Sequence, residues 1–284
     1  MQTPADNRPR KIIIVGGVAG GASAAARLRR LDESAEIVLV ERGEHVSFAN
    51  CGLPYHAGGA IPERDKLFLM TPDSFRRSLA VDVRVRTEAV SIDVDNRTVS
   101  LLDRDSGEIH VEACDALILS PGAEPVRPPI PGIGHPRILT LRNVPDIDRI
   151  KDVLDNSRPK RAVVVGAGFI GLEMAENLRE RGLAVDVVEA LDQVMNVLDF
   201  EMASPVHHHL RDKDVGLRLG DAVREFRHVG DGVEVHLASG AILPADLVIL
   251  SANPLTVPPA TIKDIKIDAT IKAGTSVYAR PGAN

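Results

Sequence analysis

Aromatic residues are scarce in this 284-residue sequence, where they make up 3% of the chain, and tryptophan is absent. This scarcity excludes a surface of stacked aromatic side chains for nucleic-acid bases as the main working surface. An excess of basic residues is also lacking, since the formal net charge is −6. The acidic balance argues against nucleic acid as a partner. The core must therefore be built from aliphatic residues.

Cysteine and long apolar runs are the other two shortages. Two cysteines cannot form a disulfide framework, which indicates a reducing compartment. No apolar run approaches the 18 residues of a membrane span, and the polar N-terminus lacks the apolar core of a signal peptide. We therefore expect a soluble, cytoplasmic protein with no membrane partner.

One pattern occurs twice along the chain. A continuous apolar run, a glycine cluster, a helical stretch and a second apolar run ending in glutamate begin at Lys11 and again at Arg161. Continuous apolar runs are typical of parallel strands that are buried on both faces. Two such βαβ units predict an α/β chain with two Rossmann-like dinucleotide-binding domains.

The second glycine cluster has the complete dinucleotide-binding spacing, with Gly166, Gly168 and Gly171. The first glycine permits the tight turn, the second allows a pyrophosphate to approach, and the third lets the helix pack on its strand. Glu189 ends the following strand, where a carboxylate accepts ribose hydroxyl groups and repels a 2′-phosphate. This loop therefore predicts NADH in preference to NADPH.

The first cluster is less regular, because Val18 stands between Gly16 and Gly21 at the middle position. Glu41 nevertheless ends the next strand at the ribose-binding position. A second dinucleotide is therefore expected here. Two dinucleotide folds in one chain predict electron transfer between two cofactors, for which FAD and NADH are the usual pair.

Cys51 follows Glu41 by ten residues, in a segment that predicts a turn into a new helix. A lone cysteine is more often a small buried residue than a nucleophile. At the start of a helix, however, the dipole stabilises the thiolate, which is the form that attacks a disulfide sulfur. Cys51 is therefore the candidate catalytic residue, whereas Cys114 is expected to be a packing residue.

The segment around Cys51 resembles a known family, the single-cysteine pyridine nucleotide-disulfide oxidoreductases. It is similar to the coenzyme A-disulfide reductases and the NADH-dependent persulfide or polysulfide reductases. The resemblance covers roughly residues 10–250, and it is carried by the following motifs: Ser47-Phe48-Ala49-Asn50-Cys51-Gly52-Leu53-Pro54-Tyr55, Gly16-Gly17-Val18-Ala19-Gly20-Gly21-Ala22-Ser23, Thr71-Pro72, Leu119-Ser120-Pro121-Gly122-Ala123, and the segment from Gly166 to Glu173.

The resemblance implies roles for individual residues. Cys51 would hold a mixed disulfide with coenzyme A, or a persulfide. This sequence has no second thiol five residues after Cys51, where His56 stands, so a dithiol mechanism based on a Cys-x4-Cys pair is excluded. The other roles fall into three groups: FAD at Gly16, Gly17, Gly20, Gly21, Glu41 and Arg42; NADH at Gly166, Gly168, Gly171 and Glu189; coenzyme A at Arg30, Ser47 and Asn50.

The resemblance also implies a glutathione-reductase-like domain order. Residues 1–120 would form the FAD-binding domain, 121–246 the NADH-binding domain, and 247–284 a partial return to the FAD domain. Residues 275–284 only partly match the family's flavin-domain ending, because its aspartate is missing. Relatives are homodimers through a C-terminal dimerisation domain, which we expect to be absent from this chain.

The sequence leaves several alternatives open. The leading function is NADH-dependent reduction of coenzyme A disulfide, and its rivals are a persulfide or polysulfide reductase and an NADH oxidase. An alternative of a different class is a truncated, non-catalytic nucleotide-binding fragment. Glu173 is equally consistent with a helix first-turn acid and with a residue near the nicotinamide. The run His207-His208-His209 predicts a solvated helix face, and no metal site is expected.

Overall fold

The computed structural model describes residues 8–251 and the backbone of two short strands, β16 (Ala269–Lys272) and β17 (Thr275–Ala279). These two strands pair with each other in antiparallel fashion. Residues 252–268, 273–274 and 280–284 of the predicted return segment (247–284) lie outside the described residues. Within the described ranges, no helix is long and apolar enough to span a bilayer.

The first unit is built on a four-stranded parallel sheet in the order β3-β2-β1-β7. The apolar run at Lys11 forms its central strand, buried on both faces as the sequence predicts. An antiparallel meander of three strands packs through Val99 and Leu101 against one face of the sheet. The sheet strands are β1 (Lys11–Val15), β2 (Glu36–Val40), β3 (Val81–Arg84) and β7 (Ala116–Leu119), and the meander strands are β4 (Thr87–Asp93), β5 (Thr98–Asp103) and β6 (Ile109–Ala113).

The second unit repeats this plan on a five-stranded parallel sheet in the order β11-β10-β9-β15-β8. A second antiparallel meander covers one face of this sheet. The sheet strands are β8 (Ile138–Thr140), β9 (Arg161–Val165), β10 (Ala184–Val188), β11 (Val215–Arg218) and β15 (Leu247–Leu250), and the meander strands are β12 (Val223–Val229), β13 (Gly232–Leu237) and β14 (Ile242–Ala245).

Six α-helices are found among the described residues. Their starts follow local signals: Thr71 and Ser74 form a capping box before α3, and Asn143 caps α4. The helices are α1 (Ala19–Leu31), α2 (Leu53–Gly58), α3 (Pro72–Leu79), α4 (Val144–Asp152), α5 (Phe169–Glu180) and α6 (Phe200–Asp212). The predicted α/β fold with two Rossmann-like units is confirmed.

One predicted boundary needs correction. The sequence placed residues 247–284 in a return to the first unit, but β15 (Leu247–Leu250) pairs in parallel with β9 and β8 of the second sheet. Apolar side chains at every position make this strand suitable for either sheet, and only long-range pairing decides which one it joins. The second unit therefore extends through Leu250 rather than ending at 246.

One of the hydrophobic clusters is shared by the two units. Phe48, Leu53 and Ala57 of the first unit pack in the same cluster as the buried face of α5. Arg64 also forms two hydrogen bonds to the carboxylate of Asp148 on α4, at 2.7 and 2.8 Å. The short helix α2 is therefore held between the units rather than on the surface of one of them.

Candidate active site

The two glycine loops have the same backbone conformation at their first glycine. Gly16 and Gly166 have φ angles of +97° and +101°, in the left-handed region that favours glycine. A Cβ atom would lie 2.0 Å from the carbonyl oxygen of Ser120 at the first position and 2.2 Å from that of Ser251 at the second. Glycine is therefore required at both turns by conformation and by space.

The third glycines permit close packing of helix on strand. A Cβ atom on Gly21 would lie 1.7 Å from the Gly16 carbonyl oxygen, and one on Gly171 would lie 2.0 Å from that of Gly166. The middle position differs, because Val18 precedes α1 whereas Gly168 precedes α5. The irregular first loop thus has the same turn and the same helix approach as the regular second loop.

Glu41 and Glu189 bind their loops through equivalent hydrogen bonds, which the sequence did not indicate. One carboxylate oxygen accepts from the loop, at 2.8 Å from Gly17 N and 2.8 Å from Ala167 N. The other accepts from the residue two positions later, at 2.7 Å from Gly43 N and 3.0 Å from Leu191 N. Each acid therefore fixes the loop beside the strand end where a ribose is expected.

A cavity of about 990 Å³ lies where the two units meet. From the first unit it is lined by Val18 to Gly20 and by Glu41, Arg42 and Cys51; from the second, by Phe169, Ile170 and Glu173 at the start of α5. The structure thus brings the first glycine loop, the cysteine and the helix of the second glycine loop to one cavity. Its size suits a dinucleotide better than a small metabolite.

Cys51 lies on a single 3₁₀ turn (Asn50–Gly52) that leads directly into α2. Its side chain is exposed and lines the cavity, together with that of the neighbouring Asn50. The structure describes both cysteines as free thiols, but Cys114 is buried in the core between β1, β2 and the first meander. Burial raises the pKa of the Cys114 thiol, so Cys51 is the thiol available for chemistry.

The other two predicted coenzyme A residues lie outside the set that lines the cavity. Ser47 is buried, with φ of +48°, and its backbone bonds to Gly17 and Leu69 at 2.8 Å each. Ser47 therefore holds the first glycine loop next to the segment that carries Cys51. Arg30 is exposed on the last turn of α1, about 15 Å along the helix from the glycine loop.

Some of the predicted cofactor-binding residues line the cavity and others lie behind it. Gly20 and Arg42 line the cavity, whereas Gly16, Gly17 and Gly21 form the turn behind it. Gly166, Gly168, Gly171 and Glu189 form the second loop and do not line the cavity themselves. The second loop reaches the cavity through the first turns of α5.

Sequence reasoning missed an ionic bridge across the cavity. Glu124, in the connector between the units, accepts from Arg42 at 2.6 Å and pairs with Arg142, which follows β8. Both arginines line the cavity, and so does Glu124. In the sequence, Glu124 is 82 positions from Arg42 and 18 positions from Arg142. No local pattern in the sequence indicates these contacts.

Glu173 lies on α5 within the cavity, and burial raises the pKa of its carboxyl group, with a smaller contribution from Glu176. The helix first-turn interpretation is wrong, because Glu173 lies beyond the first turn of α5.

The histidine run lies only partly on a solvated face. His208 and His209 are exposed as predicted, but His207 is buried, and its Nε2 accepts from the Val194 backbone N–H at 3.0 Å. Among the described residues, no group of side chains is arranged to hold a metal ion.

The chain matches the pyridine nucleotide-disulphide oxidoreductase family over residues 10–254, and it belongs to that family. It is similar to the coenzyme A disulfide reductase of Staphylococcus epidermidis, with 38% identity over 240 residues, which are 84% of this chain and 53% of that protein. The chain thus spans about half the length of the curated relatives it matches.

Two solved structures have the same fold. Reduced CoADR-RHD of Bacillus anthracis is 50% identical with a TM-score of 0.83, over 87% of this chain and 44% of that one. The NAD-dependent persulfide reductase of A. fulgidus is 36% identical with a TM-score of 0.81, over 86% of this chain and 46% of that one.

Proposed function

We propose that this chain carries the FAD- and NADH-binding units of an oxidoreductase in which Cys51 reduces coenzyme A disulfide. The observation that supports this most strongly is the exposed Cys51 thiol in a cavity shared by the first glycine loop and the start of α5. The names of the relatives in Staphylococcus epidermidis and Bacillus anthracis point to the same substrate.

The residues present fit two dinucleotides. Among the residues that the structure describes, neither α1 nor α5 has a side-chain cap or an acidic residue in its first turn. The free backbone N–H groups of both first turns are therefore available to a pyrophosphate. Glu41 and Glu189 retain lone pairs for ribose hydroxyl groups, because each of their oxygens accepts one backbone N–H.

Cys51 carries the chemistry of the chain itself. Its thiolate attacks one sulfur of the disulfide, which forms a Cys51–coenzyme A mixed disulfide and releases one coenzyme A thiolate. The two electrons that cleave this mixed disulfide would come from NADH and FAD held at the two glycine loops. That cleavage returns the Cys51 thiolate and releases the second coenzyme A. A dithiol exchange with Cys114 is not part of this scheme, because Cys114 is buried.

The preference for NADH over NADPH is part of the proposal. The Glu189 carboxylate is fixed at the end of β10 by its two backbone hydrogen bonds. A carboxylate at this position repels the 2′-phosphate of NADPH and accepts a hydrogen bond from the 2′-hydroxyl group of NADH.

A persulfide or polysulfide substrate is the second candidate, and similarity to the A. fulgidus persulfide reductase favours it. The open position of Cys51 suits a sulfur chain as well as a disulfide. Both functions use the Cys51 thiol, and they differ in the product that is released from it, which is coenzyme A thiol in the first case and sulfide in the second.

The test compares NADH consumption with coenzyme A disulfide, polysulfide and oxygen as acceptors. We expect the FAD-loaded chain to prefer coenzyme A disulfide and the Cys51→Ser variant to lose this reaction. Cys114→Ser is the matched control and should retain it. Full disulfide reduction by Cys51→Ser would refute the proposal, and the absence of flavin binding would support the non-catalytic alternative.

A further inference from the structure

One face of α5 runs from the cavity to the helix behind Cys51. Glu173, Asn177 and Arg181 follow one another at intervals of four residues, which places them on the same side of the helix and its C-terminal end. Glu173 lines the cavity, while α2 packs along the same helix. The helix that begins at the second glycine loop therefore also contacts the segment that carries the thiol.

The side chain of Asn177 packs closely against the backbone of α2. Its side chain is 1% exposed, and its Nδ2 donates to the Glu173 carbonyl oxygen at 2.8 Å. A Cβ atom on Gly58 would lie 2.2 Å from Asn177 Oδ1. Glycine at position 58 thus lets α2 lie directly against the Asn177 amide.

Arg181 holds the other end of the contact. Its Nη1 donates to the Ala57 carbonyl oxygen at 3.2 Å, while its Nη2 pairs with Asp155 at 2.6 Å. Ala57 belongs to the last turn of α2, where carbonyl groups lack partners within the helix and favour a cation. Asp155 fixes the direction of the guanidinium group, so Arg181 acts as a cap on α2 that is supplied by the other unit.

We propose that Asn177 and Arg181 are positioning residues for Cys51. Cys51 lies two residues before the start of α2, and Leu53 and Ala57 of that helix are buried in the hydrophobic cluster shared by the units. The place of the sulfur in the cavity is therefore set by how α2 sits on α5. This inference rests on the proposed function, because it concerns the approach of Cys51 to a bound flavin.

The experiment measures alkylation of Cys51 by iodoacetamide, with and without FAD, and locates the label by peptide mass spectrometry. FAD should slow alkylation in the wild-type protein, because the thiol shares the cavity of the first glycine loop. In Asn177→Ala and Arg181→Met, we expect this protection to fall about fivefold or more, since small displacements of a reacting group have large effects.

The same helix provides a matched control. Arg179 also donates to backbone carbonyl oxygens, those of Lys213 and Leu183 at 3.0 and 2.8 Å, but neither belongs to α2. Arg179→Met should leave FAD protection of Cys51 unchanged. Labelling of the buried Cys114 reports unfolding in every sample. If Cys114 becomes labelled in Asn177→Ala, the test of the positioning role rests on Arg181→Met alone.

A second readout separates positioning from general damage. In both variants the rate of coenzyme A disulfide reduction should fall about tenfold or more, while NADH-dependent reduction of ferricyanide, which needs no thiol, stays unchanged. Equal protection in wild type and Arg181→Met would overturn the positioning role and leave the proposed function standing. Absence of FAD protection in the wild-type protein would overturn the proposed function and this inference together.

Discussion

Glu189 and Ala167 are joined by a hydrogen bond of 2.8 Å, in which the backbone N–H of the loop residue donates to the carboxylate. The second oxygen of Glu189 accepts the Leu191 N–H at 3.0 Å. The acid expected to select the coenzyme therefore also maintains the loop that would bind it. Its replacement should affect both coenzyme preference and loop stability.

Glu189→Gln should lower the preference for NADH over NADPH. Removal of the negative charge ends the repulsion of the 2′-phosphate, and we expect the ratio of kcat/KM for the two coenzymes to fall about tenfold, equivalent to about 1.4 kcal/mol. Steady-state kinetics with each coenzyme measure the ratio. Glu41→Gln is the matched control, because Glu41 accepts the equivalent hydrogen bonds in the first loop. This variant should bind FAD more weakly, while its ratio of kcat/KM for NADH and NADPH should stay at the wild-type value.

Gly166→Ala should destabilise the second unit more than Gly182→Ala does. Both glycines have positive φ angles, +101° and +86°, so both substitutions introduce backbone strain. Only at Gly166 does the new Cβ atom meet backbone, 2.2 Å from the Ser251 oxygen. We expect an additional loss of about 1–3 kcal/mol in the free energy of unfolding, measured by urea denaturation. Equal losses in the two variants would contradict the close approach.

Glu173 should make the protein less stable as the pH rises. Burial raises the pKa of this carboxyl above its ordinary value of 4.5, so the folded state binds more protons than the unfolded state between the two values. By linkage, stability is highest below the unfolded pKa and declines as pH rises through the folded one. Other carboxyl groups, such as that of Asp148 beside Arg64, have lowered pKa values and act alike in wild type and in Glu173→Gln. Unfolding curves at a series of pH values should therefore show the stability of wild type falling relative to that of Glu173→Gln as the pH rises. A difference that stays constant with pH would contradict the prediction.

Glu124→Gln should increase the affinity for FAD. The variant removes the carboxylate that pairs with Arg42 and Arg142, and leaves two cationic groups on the wall of the cavity for an anionic dinucleotide. Because these groups are partly exposed, we expect Kd to fall by only about two- to fivefold, and by less at high salt. Quenching of flavin fluorescence measures Kd. Glu108→Gln, on an exposed residue that pairs with His110, serves as the control and should have no effect.

Much of this architecture follows from local sequence. The apolar runs at Lys11 and Arg161 predicted the central strands of both sheets, because a strand buried on two faces has no polar alternation. The glycine spacing predicted both turns, because only glycine fits the positive φ of Gly16 and Gly166. These signals concern the conformation of a few consecutive residues, and such conformations are encoded locally.

Features that depend on distant partners were less accessible. The strand Leu247–Leu250 was assigned to the wrong unit, because its choice of sheet depends on pairing with β9, more than eighty residues earlier. His207 was expected in solvent, but its burial depends on an N–H of Val194 in a preceding loop. The bridge from Arg42 through Glu124 to Arg142 likewise arises only when the two units meet.

The near-identity of the two loops has a consequence for how the chain tells its ligands apart. The turn, the close approach of the helix and the acid are the same at Gly16 and at Gly166, so under the proposed function the adenosine diphosphate half of each dinucleotide would meet similar backbone in each place. The residues at the start of the helices differ, with Val18 and Ala19 in the first loop against Gly168 and Phe169 in the second. We therefore expect these flanking residues, rather than the turns, to determine which cofactor each loop takes.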